Sequence, residues 1–167
     1  GDVVTVETVG FSGTAAATQR AILLAETYYD QKKYDDGLAV LKEASTSGDA
    51  KPFAPSVAAM TASGLAQQGK YKNAAEEYMH AASITKYPTE RSMYKADAAR
   101  AYGTFAERFP RDARAGAAQQ ARIALLQATG DSTTANAELA QVCKRPTPEF
   151  KATCADRLGE QEFRAGA

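Results

Sequence analysis

Few side chains in this sequence could carry chemistry. His80 is the only histidine, and Cys143 and Cys154 are the only cysteines. A structural zinc site takes four Cys or His ligands, so one His and two Cys fall short. His80 sits between Met79 and Ala81 in a helical stretch. No serine or cysteine nucleophile can be assigned to it, which argues against a nucleophile–base pair. The chain holds no glycine-rich phosphate loop and no Gly-x-Ser-x-Gly elbow. The expectation is a non-enzymatic protein with no cofactor, no metal and no small-molecule substrate. The cysteines suggest a different use. Cys143 closes one helical pattern, and Cys154 falls in the second turn of the next, across Lys144-Arg145-Pro146-Thr147-Pro148. That corner can bring their Cα atoms within the roughly 4.4–6.8 Å a disulfide requires. An even cysteine count favours the bond in an exported domain. The alternative is two buried thiols in a cytosolic protein.

The bulk properties narrow the class of protein. At 167 residues the chain suits one domain able to bury a core. Lys+Arg and Asp+Glu both number 20, so there is no excess of base for phosphate, and a nucleic-acid partner is not expected. Alanine makes up about a fifth of the residues, and it is the strongest helix former. β-Branched residues cluster only in Val3-Val4-Thr5-Val6-Glu7-Thr8-Val9. The fold class expected is all-α, with residues 1–13 forming a short extended arm. The arm is read either as a tether or as an edge strand for another chain. No apolar run is long enough to span a bilayer. The sequence begins at Gly1 rather than methionine, so any export signal or anchor ahead of it would have been cut away and its absence carries no information.

Periodicity and breakers lay out the elements. A helix from Thr14 to Lys32-Lys33 places Ala21, Leu24, Ala25 and Tyr28 on one face. A second helix turns Leu38 and Leu41 inward and ends at Ser47-Gly48, and Lys51 to Pro55 reads as a loop. Gly69 and Gly130 read as helix stops. Thr89, Asp131 or Ser132, and Thr147 read as helix caps. The result is eight helices joined by short connections, as antiparallel neighbours need. The domain expected is residues 14–167, with units at about 18–51 and 55–88 and looser hairpins at 89–130 and 131–167.

Two stretches share a pattern. Leu24-Ala25-x-x-Tyr28-Tyr29 leads to Tyr34, Gly37, Leu41 and Ala44, and Ala58, Thr61, Ala62 and Leu65 lead to Tyr71, Ala74, Tyr78 and Ala81. Tyr34 and Tyr71 are 37 residues apart. The pattern resembles the tetratricopeptide repeat family, whose period is about 34 residues. Tryptophan is absent, and Ala21 stands in its place. The resemblance implies a right-handed α-solenoid of about four antiparallel helical hairpins that works as a protein-binding scaffold. Phe105-Ala106-x-x-Phe109-Pro110-x-Asp112 is similar to helix endings in periplasmic repeat domains of bacterial envelope proteins and lipoproteins. That likeness implies a periplasmic or extracytoplasmic home with an N-terminal membrane anchor; the alternative is cytoplasmic.

In such an array the first helix of each pair lines the concave face. The candidate partner groove is therefore Gln19, Ile22, Glu26 and Tyr29, with Ser56, Ala59, Ser63 and Ala66 from the second unit. Family members that clamp chaperone carboxylates place Lys, Arg and Asn there, and Ile22 and Glu26 exclude that activity. A mildly acidic, tyrosine-bearing groove suits a segment with apolar and basic residues. The expected partner is another protein, or a membrane complex. The second reading is a permanent structural subunit of an oligomeric or membrane complex, docked through the arm or the convex face.

Overall fold

The computed structural model describes residues 13–166. Eight α-helices are present among the described residues: α1 (Gly13–Asp30), α2 (Tyr34–Ser45), α3 (Ala54–Gln67), α4 (Tyr71–Ile84), α5 (Pro88–Arg108), α6 (Ala115–Ala128), α7 (Ser132–Val142) and α8 (Lys151–Gly166). Two 3-10 segments, Gly48–Phe53 and Pro148–Phe150, precede α3 and α8, and no strand occurs among the described residues. The all-α class expected from composition is the class observed. Of the N-terminal arm only Gly13 is described, as the first residue of α1; the rest lies outside the described residues.

The helix ends follow local chemistry. Gly69 (φ 79°) and Gly130 (φ 88°) take the left-handed conformation. After them Lys70 N–H donates to Leu65 O at 2.9 Å and Asp131 N–H donates to Leu126 O at 2.8 Å, satisfying carbonyls the helices leave open. At the end of α1 a non-glycine, Lys32, does the same at φ 60°. Asp131 caps α7 by accepting from Thr134 N–H at 3.1 Å. The turn into α5 differs from the expected Thr89 cap. Thr89 lies inside the helix, and buried Thr85 ties the corner instead. Its hydroxyl donates to Glu90 Oε2 at 2.6 Å, and its carbonyl accepts from Arg91 Nη2 at 3.0 Å. Lys51 to Phe53, expected as loop, completes the 3-10 turn that carries Pro52.

Each helix from α1 to α6 packs on the next in sequence, and α1 also reaches α3. The core is accordingly a row of small clusters. Ala25, Tyr29, Leu41 and Val57 join α1, α2 and α3. Ala74, Ala75 and Ala101 join α4 to α5, and Ala98, Ala99 and Leu125 join α5 to α6. Ile123, Ala135, Leu139, Phe150 and Cys154 close the C-terminal end. Alanine suits this plan, because a one-carbon side chain lets helices approach closely at no rotamer cost.

Two features tie the row together. Arg122 on α6 donates to Ala99 O of α5 at 3.0 Å and to the Glu138 carboxylate of α7 at 2.7–2.9 Å. The Glu138 bond raises its pKa, so this half-buried strut stays charged. Cys143 and Cys154 are bonded with Cα atoms 5.4 Å apart, joining the end of α7 to α8. Beyond Cys154, α8 is exposed along its length apart from the partly covered Arg157.

The inward face of α1 differs from the expected one. The structure buries Ala25 and Tyr29, while Leu24 is 44% exposed. Tyr28 is only partly covered. The cause is long-range. The Tyr29 ring passes between two glycines on different helices. A Cβ at Gly37 would sit 2.5 Å from Tyr29 Cε1, and one at Gly64 would overlap the Tyr29 hydroxyl. Only Tyr29 fits that slot.

Candidate functional site

Helix α3 has a groove on each side. Along one side, Ser56, Ala59, Met60, Ser63 and Gln67 recur at three- and four-residue steps and face Ile22, Glu26, Tyr29 and Asp30 of α1. Tyr78 of α4 and Tyr94 and Asp97 of α5 complete a groove of about 430 Å³. Six of the eight residues expected to line the partner groove meet here: Ile22, Glu26, Tyr29, Ser56, Ala59 and Ser63. Gln19 and Ala66 are not part of the lining. Tyr29 has a double role. It is 4% exposed and belongs to the core, yet its hydroxyl reaches the groove wall and donates to Met60 O at 3.1 Å.

The tyrosines fix the groove's chemistry. Burial, followed by the nearby Tyr78, pushes the Tyr29 phenol up to about 12. Burial and then Asp97 push up the Tyr78 phenol, with Arg100 and Ser63 pulling the other way. Burial and then Glu90 push up the Tyr94 phenol, with Ser56 pulling the other way. The three phenols are neutral at physiological pH. No lining residue is Lys, Arg or His, and Glu26, Asp30 and Asp97 supply three carboxylates. Asp97 is paired with Arg100 at 2.8 Å. No ion pair to Glu26 or Asp30 occurs among the described residues.

The raised Tyr29 pKa has a testable sign. The folded state favours the protonated phenol, so its contribution is complete below the unfolded value near 10 and is lost as pH climbs through about 12. Denaturant midpoints measured across that window should fall for the wild type and fall less for Tyr29→Phe. Equal slopes in the two proteins would rule out Tyr29 as the source.

No family model, curated protein or solved structure matches this chain.

The other side of α3 carries a larger cleft that the sequence reading did not single out. Ala54, Val57, Ala58, Thr61 and Leu65 form its floor, with Leu38, Leu41 and Lys42 of α2 on one wall and Glu77, His80 and Ile84 of α4 on the other. Its volume is about 770 Å³. Helices α2 and α4 both pack on α3, and the cleft is the space left between them. Exposed His80 lies at this cleft, away from both cysteines. Among the described residues, no group of three or more His, Cys, Asp or Glu could hold a metal. No helix among them is long and apolar enough to cross a membrane. Ile84 at the cleft edge is left 40% exposed at the end of α4, a helix whose buried residues are all alanines.

Proposed function

We propose that this protein is a helical-repeat scaffold of the tetratricopeptide type, which holds a segment of another protein in the groove formed by α1, α3 and α5. In this reading the helices pair as antiparallel hairpins and stack into a right-handed solenoid. The sequential packing of neighbours and the row of separate core clusters support that arrangement. The observation that carries the function is the convergence of Ile22, Glu26, Tyr29, Ser56 and Ser63 on one groove. Odd-numbered helices alone supply most of its wall, as expected where the first helix of each pair lines a concave face. A membrane-associated assembly of the bacterial envelope is the setting we favour. The Cys143–Cys154 bond suits an oxidising compartment.

Reversing charge in the groove tests the reading. Glu26 is exposed, so Glu26→Lys leaves the fold intact and weakens partner capture by about fivefold or more. Cross-linking in the native host identifies the partner, and titration of wild type against the variant gives the ratio. Unchanged affinity moves the site out of this groove.

The larger cleft favours a second reading, a permanent structural subunit that docks through the face bearing α2 and α4. It is more apolar than the groove and, with Ile84 at its edge, resembles the dry centre of an obligate contact. Light scattering separates the two readings, because a chain that stays monomeric at high concentration is no self-assembling subunit.

A further inference from the structure

We infer that the groove between α1, α3 and α5 is shaped to seat an arginine side chain carried by an otherwise apolar partner segment. The inference rests on the reading that this groove is the partner site. Glu26 and Asp30 lie one turn apart on α1, so their carboxylates project to the same side. The two have no ion-pair partner among the described residues. Asp97, opposite them on α5, has its charge offset by Arg100, which leaves the α1 pair as the uncompensated charge. A phosphorylated or acidic segment would bring like charge against three carboxylates with no cation in the lining to receive it.

Arginine fits this wall better than lysine. A guanidinium is planar, and its forked donors can engage two carboxylates at once. It is also weakly hydrated and stacks on aromatic rings, and Tyr78 and Tyr94 line the groove opposite the acids. Ser63 and Ser56 line the same groove beside these rings. Ile22 and Met60 offer apolar contact to the residues on either side of the arginine.

The probe is a short fluorescein-labelled peptide alternating leucine and arginine, with lysine and glutamate versions as comparators, read by anisotropy at low salt. The arginine peptide should bind best, the lysine peptide several-fold more weakly and the glutamate peptide not at all. Glu26→Gln combined with Asp30→Asn should weaken the arginine peptide by about tenfold and flatten its salt dependence. Both residues are exposed, so circular dichroism should be unchanged. A second variant, Ser63→Trp, fills the groove and reports on location. If it abolishes binding while the neutralised pair binds the arginine peptide as well as wild type, the groove is the site and the arginine inference is wrong. If neither variant alters binding, the peptide sits elsewhere and both readings fail. Equal binding of the glutamate peptide also overturns the inference.

Discussion

Replacing Gly64 with alanine should destabilise the protein by about 2–3 kcal/mol, even though alanine is the better helix former. On propensity alone the change gains about 1 kcal/mol. The added methyl, however, overlaps the Tyr29 hydroxyl and lies 2.8 Å from Cε1 of the same ring. Tyr29 has little room to withdraw, because Gly37 on α2 also closes on its ring at Cε1 and Cδ1, and the Ala25 carbonyl stands 3.1 Å from that glycine's Cβ position. The melting temperature should drop by about 5–10 °C at the usual conversion for a chain of this size. Tyr29→Phe alone gives up the hydrogen bond to Met60 O, at about 1 kcal/mol. Combined with Gly64→Ala it should cost less than the sum, because the closest contact disappears. A double-mutant cycle with coupling near zero would mean that the two residues do not share the slot.

Removing the Cys143–Cys154 bond should cost about 3 kcal/mol, and the loss should be local. The closed loop spans a sequence separation of 11, for which chain entropy predicts a stabilisation of this size. Cys154 is also packed in the C-terminal cluster with Phe150, Ile123 and Leu139. Helix α8 has few other attachments, since its main packing is on Pro148–Phe150. In Cys143→Ser with Cys154→Ser, amide exchange should therefore rise in α8 and the end of α7 and remain unchanged in α1 to α4. Uniform acceleration along the chain would show one cooperative core instead. The unreduced, denatured protein should show no reactive thiol; two would mean that the bond does not form.

Much of the architecture could be read from local signals. The Gly69 and Gly130 stops and the Asp131 cap act within a few residues of themselves, and the structure places all three where spacing predicted. Ser56 and Ser63, seven residues apart, share one face of α3. The face of α1 was harder. Leu23-Leu24 and Tyr28-Tyr29 offer two apolar stripes one residue apart, so period alone cannot choose between them. The choice is made by Gly37 and Gly64, which are distant in sequence and accept one ring. The corner before α5 is set by side-chain contacts five and six residues on: Thr85 rather than Thr89 serves there because it reaches both Glu90 and Arg91. The large cleft on the other side of α3 arises from the separation of α2 and α4, which no single segment encodes.

Having its core clusters in series gives the molecule the mechanics of a short chain of links. A protein with one central core resists a pull at its ends until the whole fails. In the proposed solenoid, tension should pass through one cluster after another, and the weakest link should set the first extension. The disulfide shortens what the C-terminal link can release, since the stretch between Cys143 and Cys154 stays closed under load. The Arg122 strut spans α5, α6 and α7, so those helices share force across two clusters. A molecule built this way can yield at one end while the groove between α1, α3 and α5 keeps its shape.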